Sequence, residues 1–141
     1  VMKIESDSLQ YITYQSQLTP DEKTGSYPAI VGAQVELAKL HQQIQEDINF
    51  MAPVWDEKKQ VYYRFSFHSL FEETKKMQGF PQPKGAKVFL SVLDKDFKLL
   101  AETQVSQLNQ TPEYYFSKDG KLWVFENIED EMGFVRLDIS W

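Results

Sequence analysis

Apolar and polar side chains alternate along two stretches of the chain, residues 61–68 and residues 134–141. Successive side chains of a β-strand point to opposite faces of a sheet, so this period of two predicts two half-buried strands. The predicted apolar faces consist of Val61, Tyr63, Phe65 and Phe67 in the first stretch and of Val135, Leu137, Ile139 and Trp141 in the second.

One segment, residues 33–47, follows a helical period instead. Its apolar residues recur at spacings of three and four, which places them on one face of a helix. That stripe consists of Leu37, Leu40, Ile44 and Ile48. The segment is therefore predicted to be an amphipathic helix that packs on the edge of a sheet.

Turn-forming residues divide the rest of the chain into short apolar runs. Asp119-Gly120 separates residues 113–116 from residues 121–126, and an Asp-Gly pair in this position is typical of a β-hairpin because glycine readily adopts a positive φ angle. The other predicted strands are residues 2–5, 9–14, 49–55, 87–93 and 98–105, the last two joined by a turn at residues 94–97.

Two segments offer no strand pattern. Residues 18–32 are predicted to be a loop, and residues 69–85 a long connection with one helical turn at residues 70–73, because prolines and glycines interrupt both segments. Strand pairs joined by turns, with one helix inserted, indicate a mainly β, antiparallel fold. A doubly wound α/β sheet would need helices between most strands.

Composition and charge limit the classes of function. Of the 141 residues, 42% are hydrophobic and 14% aromatic, which is typical of a globular β-rich chain. The net charge is −6, and Arg64 and Arg136 are the only arginines. Nucleic-acid binding needs clustered cations to displace counterions from phosphate, so no nucleic-acid partner is expected.

Cysteine chemistry and membrane spanning have no support in the sequence. The chain has no cysteine, which excludes disulfides and thiolate metal sites. No apolar run approaches the roughly 20 residues that cross a bilayer, and no signal-peptide pattern opens the chain. Val1 lies within an apparent strand, which favours the tail of a longer protein.

A weak internal repeat suggests how the strands are organised. Residues 54–64 and residues 115–125 share one design, in which a strand ends at an acidic turn and an aromatic strand follows. The two copies lie about 60 residues apart, and repeats of several strands at such a period are typical of β-propeller blades.

At these residues the sequence resembles a known family. Trp55-Asp56 with residues 62–66, then residues 94–103 and residues 116–134, are similar to bacterial six-bladed β-propeller proteins of unknown function that are often exported as lipoproteins. The resemblance extends to Leu18-Thr19-Pro20 and covers nearly the whole chain. It implies a periplasmic or cell-surface location, through a lipid anchor outside this chain.

The resemblance also implies a division of the chain into four-stranded blades. Residues 1–15 would be the outer strands of one blade, residues 33–47 an inserted helix, residues 46–105 a complete blade, and residues 112–141 a last, incomplete blade. The partners would then be the rest of a propeller, or further copies of this chain pairing at open strand edges.

Several residues are candidates for ligand contact. The acidic run at residues 126–131 is either a site for a cation or a basic partner or a solvated loop. Arg64 is expected to pair with Asp56 or Glu102. The predicted binding residues are Asp56, Tyr62, Arg64, Glu126, Glu129, Asp130 and Glu131. His41 and His68 lack the spacing of a metal or catalytic set, so no metal and no cofactor are predicted.

Three functions remain open on the sequence alone. The favoured one is a non-enzymatic binding or scaffold domain that recognises an unknown protein or small ligand through loops on one face. The second is a hydrolase or lyase with carboxylates drawn from Asp56, Glu113 and Glu126. The third is a stand-alone small β-barrel holding an apolar ligand, which would require a sheet closed within one chain.

Overall fold

A computed structural model of the protein describes residues 2–3, 8–9, 12–77, 79–128 and 131–141. The described part contains one helix among short and long strands. In chain order the elements are β1 (Met2–Lys3), β2 (Ser8–Leu9), α1 (Gln34–Glu46), β3 (Asn49–Phe50), β4 (Val54–Asp56), β5 (Val61–Met77), β6 (Phe80–Leu93), β7 (Leu99–Gln104), β8 (Tyr115–Lys118), β9 (Lys121–Ile128) and β10 (Glu131–Leu137).

The strands form three antiparallel sheets. The large sheet has the order β3-β5-β6-β7, with β4 also paired to β5, and the small sheet has the order β10-β9-β8. Among the described residues, strands β1 and β2 pair with each other and with no other strand. The mainly β, antiparallel fold with one short helix is therefore confirmed.

The core lies between one face of the large sheet and one face of the small sheet. The alternating side chains of β5 that were predicted to share a face are all buried there. They pack with Val88, Leu90 and Val92 of β6 against Leu122 and Val124 of β9. Phe65 and Tyr115 join the two sheets, with ring centroids 4.8 Å apart at 78°.

The helix begins and ends within one residue of its predicted bounds, but its buried face differs from the prediction. Ala38 is its one buried described residue, and Leu37 is 47% exposed. Ile48, just after the helix, is fully buried. Since α1 packs on β5 and β6, close approach to a flat sheet favours the small side chain of Ala38 at the contact.

The prediction for residues 69–85 is wrong. Instead of a loop with a helical turn, β5 and β6 continue as a long hairpin that turns at Gly79, where φ is +84°. Pro81 and Pro83 lie in β6, next to shifts in register. Proline has no N–H to donate, and an irregular ladder tolerates that loss.

Other strand boundaries also differ from the prediction. The predicted strand at residues 49–55 is two short strands, β3 and β4, that both pair with β5. The last strand ends at Leu137 rather than at Trp141, which is 55% exposed.

Both predicted turns are confirmed. Asp119 and Gly120 have φ angles of +56° and +72° between β8 and β9, as a two-residue hairpin requires. At the other turn, Asp94 Oδ1 accepts hydrogen bonds from the N–H groups of Asp96 and Lys98 at 2.8 and 2.9 Å.

No described sheet closes on itself. The third functional alternative, a closed barrel within one chain, is therefore not what these sheets form. The described residues also do not form a propeller, so the blade division of residues 1–15, 46–105 and 112–141 stays a prediction. Among the described residues, no helix is long and apolar enough to cross a membrane.

Candidate binding groove

A groove of about 700 Å³ opens between the loop of residues 107–113 and strand β9. Its size falls within the range of small-ligand sites, roughly 300–1,000 Å³. It lies where the two sheets meet, because the loop connects the large sheet to the small one. The lining residues are Pro83, Gln107, Leu108, Asn109, Gln110, Thr111, Pro112, Glu113, Val124, Phe125, Glu126 and Asn127.

Backbone hydrogen bonds hold the loop wall of the groove. The chain leaves the large sheet at Val105, whose N–H donates to the Val88 carbonyl at 2.9 Å, and the Ala86 N–H donates to the Asn109 carbonyl at 2.8 Å. Leu108 is 3% exposed and belongs to the core. The loop is therefore anchored to β6 at two points.

The opposite wall is a strand of the small sheet. Phe125 donates its N–H to the Tyr114 carbonyl at 2.8 Å, and Pro112 of the loop is fully buried. Glu126 pairs with Gly133 across β9 and β10. Both walls thus rest on sheets, which keeps their polar groups at fixed positions.

The chemistry of the groove is acidic and rich in carboxamides. Glu113 and Glu126 contribute carboxylates, and four amide side chains accompany them. The described lining residues include no lysine, arginine or histidine. Such a surface attracts cations and accepts hydrogen bonds from hydroxyl, ammonium and guanidinium groups.

Asp56 lies outside this groove. It is 1% exposed, and its Oδ1 accepts hydrogen bonds from the N–H groups of Lys58 and Lys59, both at 3.0 Å. The turn that it holds lies beside Gly120, where an added Cβ would be 3.0 Å from Lys58 Cδ. Glu126 follows Gly120 by six residues in the sequence. At the rise of an extended strand, Glu126 therefore lies roughly 20 Å from this turn.

Tyr62 and Arg64 lie on the face of β5 that points away from the small sheet. Tyr62 stacks on Phe97, with centroids 4.6 Å apart at 16°, and contacts Trp55 at 4.7 Å. The guanidinium of Arg64 lies over two rings, 4.0 Å from the centroid of Tyr14 and 4.7 Å from that of Phe50.

The expected ion pair of Arg64 is wrong. Among the described residues no carboxylate forms a salt bridge with it, and its buried Nε–H has no acceptor. Glu102 instead accepts hydrogen bonds from the Ser16 hydroxyl and from the Gln17 N–H at 2.8 Å. Burial lowers the pKa of Arg64, against the raising effect of the nearby Tyr14 and Asp21 charges.

The acidic run is only partly described. Glu126 lines the groove, and Glu131 is exposed at the start of β10. Glu129 and Asp130 lie outside the described residues. Within the described part of the chain, no three His, Cys, Asp or Glu side chains come together as a metal-binding group.

The sequence predicted Glu126 as a binding residue from its charge, and it named Glu113 only with Asp56 and Glu126 as the carboxylates of the hydrolase alternative. The groove brings the two glutamates together and leaves Asp56 outside. Sequence reasoning missed the carboxamides of Gln107, Asn109 and Gln110 altogether. The one available signal was the run of amide residues before Pro112.

Comparison with known proteins gives a family without an assigned activity. The family model described as "Domain of unknown function (DUF4221)" matches residues 1–104. A crystal structure of a DUF4221 family member from Bacteroides vulgatus is similar to 77% of this chain, with a TM-score of 0.53 and 19% sequence identity. At this identity the similarity shows the fold alone. The match spans 32% of that protein's chain, so the present chain covers about a third of its length. No curated protein matches the sequence.

Proposed function

The chain belongs to the DUF4221 family of domains of unknown function, and we propose that it is a non-enzymatic binding or scaffold domain whose ligand occupies the groove. The observation that carries the proposal is the groove itself, about 700 Å³ between a doubly anchored loop and β9. Rigid sheets position such loops, and the loops make the contacts.

The ligand of the groove is proposed to be cationic, such as the amine or guanidinium side chains of a basic peptide. Glu113 and Glu126 supply two negative charges, and the described lining residues supply no positive charge. Partly exposed ion pairs contribute about 0.2–1 kcal/mol each. Binding of a simple basic probe is therefore expected to be weak.

The sheets are further proposed to be neighbouring blades of an exported bacterial β-propeller. Two observations support this arrangement: the sheets are antiparallel and pack face to face, and the structural relative is more than twice as long as this chain. The periplasmic or cell-surface location, with a lipid anchor outside this chain, is part of the same proposal and rests on the sequence resemblance.

A carboxylate-dependent hydrolase or lyase is the second candidate, because Glu113 and Glu126 line one groove. Such an enzyme would use one carboxyl as acid and the other as base or nucleophile. Hydrolysis of an aryl glycoside panel that is abolished by both Glu113→Gln and Glu126→Gln would favour this candidate over simple binding.

The binding proposal is tested by NMR titration of the chain with a pentalysine peptide. We expect shifts at the amides of Gln110, Phe125 and Asn127. The variant with both Glu113→Gln and Glu126→Gln is expected to bind about 2- to 30-fold more weakly. Glu131→Gln removes an exposed carboxylate outside the groove and is expected to leave binding unchanged.

The same titration can reject the proposal. Shifts scattered over the acidic surface, or equal loss of binding in the Glu131→Gln control, would mean that the net charge of −6 attracts the peptide without a site. A neutral Gly-Ser peptide of equal length separates charge recognition from non-specific contact.

A further inference from the structure

Strand β9 is longer than its neighbour β8, so part of one edge of β9 has no strand beside it. The β8–β9 ladder ends at Val124, and one further bond joins the Phe125 N–H to the Tyr114 carbonyl. Strand β9 continues to Ile128, and within the described part of the chain only β10 pairs with its last residues. We call the β8 side of residues 125–128 the open edge; it is roughly 10 Å long at the rise of a strand.

The backbone groups of Asn127 point toward the open edge. In an antiparallel sheet, successive residues of a strand direct their N–H and C=O groups alternately to the two neighbouring strands. Phe125 donates its N–H on the β8 side, so Asn127, two residues further on, directs its N–H and C=O to that side as well. Among the described residues, no backbone group bonds to Asn127 there.

The open edge lies inside the groove. Phe125, Glu126 and Asn127 line it on the β9 side, and the loop of residues 107–113 and Pro83 of β6 line it on the other. Segments of this chain therefore enclose the open edge. Blades of a propeller pack on one another through the faces of their sheets, so a neighbouring blade on the small sheet would leave this edge within the groove.

Side chains along the open edge point to two different sides of β9. Glu126 has the orientation of Val124, which is buried against the large sheet, because every second side chain of a strand shares a face. Phe125 and Asn127 have the opposite orientation. A strand added beside β9 alternates in the same way, so only every second side chain of that strand faces the side of the Glu126 carboxylate.

We infer that the groove binds an extended peptide segment with basic side chains at alternate positions, which pairs with β9 as an added antiparallel strand. The inference rests on the proposed function, since it gives the binding mode of the cationic ligand in the same groove. In strand addition, main-chain hydrogen bonds provide affinity and alternate side chains provide specificity. Here one peptide residue exchanges two hydrogen bonds with Asn127, and the adjacent residue places its basic side chain beside Glu126.

The sequence of the open edge favours such a partner. Exposed strand edges are commonly protected by lysine, proline or a β-bulge. Residues 125–128 contain no lysine or proline, and the register of β9 with β10 is continuous. The one charge on the open edge is the Glu126 carboxylate, which attracts basic segments and repels acidic ones.

The test is an NMR titration of the full chain with the pentapeptide Ser-Lys-Ser-Lys-Ser, capped at both ends. If its lysines face Glu126, the N–H groups of its serines point toward β9 and those of its lysines point away. N-methylation of the serines removes the pairing donors and is expected to weaken binding about 5-fold or more. N-methylation of the lysines is the matched control and is expected to leave binding within about 2-fold of the unmodified peptide.

A diamine separates strand addition from recognition of charge alone. The compound 1,5-diaminopentane carries the same two positive charges as the pentapeptide but has no peptide bond. It is expected to bind about 5-fold more weakly or less, because it cannot form the two hydrogen bonds with Asn127. Equal affinity of the diamine and the peptide would overturn strand addition.

Hydrogen exchange and one substitution test the protein side of the pairing. A saturating concentration of the peptide is expected to slow exchange of the Asn127 amide, and to leave that of Glu126, which faces β10, unchanged. Asn127→Pro removes the edge N–H without removing a bond to β10, and it is expected to weaken binding about 2- to 10-fold. Asn127→Ala keeps this N–H and is expected to weaken binding less.

The outcomes distinguish this inference from the proposed function. Equal binding of the two N-methylated peptides, or unchanged exchange of the Asn127 amide, would overturn strand addition and leave the cationic groove in place. A titration in which the unmodified peptide shifts no amide of the groove would overturn both.

Discussion

Gly85 lies so close to Asn109 that a Cβ added at Gly85 would be 2.8 Å from the Asn109 carbonyl oxygen. That oxygen accepts the hydrogen bond of the Ala86 N–H, which fixes the loop wall of the groove. We expect Gly85→Ala to push the loop away and to lower the free energy of unfolding by about 1–3 kcal/mol. Urea denaturation followed by circular dichroism measures this loss.

The matched control for Gly85 is Gly133, which also lies in a strand. A Cβ at Gly133 would meet no atom within 4 Å, so Gly133→Ala is expected to keep the stability within about 0.5 kcal/mol. Equal effects of the two substitutions would show that the contact with Asn109 does not position the loop.

The local part of the fold was predictable because it depends on neighbouring residues. The alternation in residues 61–68 gave the buried face of β5, and the Asp119-Gly120 pair gave the β8–β9 turn, since both signals are contained in a few positions. The hairpin tip gave no such signal. Leu70 and Met77 are 43% and 63% exposed, and a strand that faces water on both sides shows no alternation.

The groove could not be derived from the sequence, because its two walls come from different parts of the chain. Glu126 was a candidate because it belongs to the acidic run of residues 126–131. Its approach to Glu113 depends on the Ala86–Asn109 hydrogen bond and on the packing of the two sheets, and these non-local contacts leave no local pattern.

Asp47 anchors the early loop to the end of α1. Its carboxylate accepts hydrogen bonds from the Tyr27 hydroxyl at 2.5 Å and from the N–H groups of Thr24 and Gly25, both at 2.9 Å. Desolvation would raise the pKa of Asp47, but these bonds and that of the Ile48 N–H hold it well below its usual value. Asp47→Asn is expected to lower the free energy of unfolding by about 1–2 kcal/mol at pH 7.

The pH dependence of the Asp47 contribution has a defined sign. Because the pKa is lower in the folded state, the stabilisation is complete above the unfolded value of 3.8 and is lost as the pH falls below it toward the folded pKa. Urea midpoints of the parent and of Asp47→Asn should therefore converge below about pH 4. Glu131→Gln removes an exposed carboxylate and should show the same decrease in urea midpoint at acidic pH as the parent. If Asp47→Asn also showed the same decrease as the parent, the hydrogen bonds of Asp47 would be unimportant for stability.

Tyr63 contributes to the dependence of folding stability on pH in the alkaline range. Burial, followed by the charges of Asp56 and Asp138, raises its pKa to about 12 from 10.0. The folded state therefore keeps this proton more tightly, and the stabilisation is complete below pH 10 and lost as the pH rises toward 12. Tyr63→Phe is expected to reduce the fall in urea midpoint between pH 10 and 12.

The hydroxyl of Tyr63 should matter little at neutral pH. It has no hydrogen-bond partner among the described residues, and neither has Asp56 Oδ2. Removing a buried hydroxyl without a partner is nearly neutral, so Tyr63→Phe should stay within about 1 kcal/mol of the parent at pH 8. A larger loss would show that the hydroxyl donates a strong bond to Asp56.

Arg64 separates the contribution of packing from that of charge. Its guanidinium lies over the rings of Tyr14 and Phe50. Burial lowers the pKa of Arg64, and no described carboxylate forms a salt bridge with it. Replacing a buried, unpaired charge by an apolar chain of similar length is often neutral or stabilising. Arg64→Met is therefore expected to match or exceed the stability of the parent, whereas Arg64→Ala should lose about 2–3 kcal/mol through lost packing. Urea denaturation measures both variants. If Arg64→Met and Arg64→Ala are equally destabilising, the prediction is wrong, and the cation–π contacts of the guanidinium stabilise the fold by more than its desolvation costs.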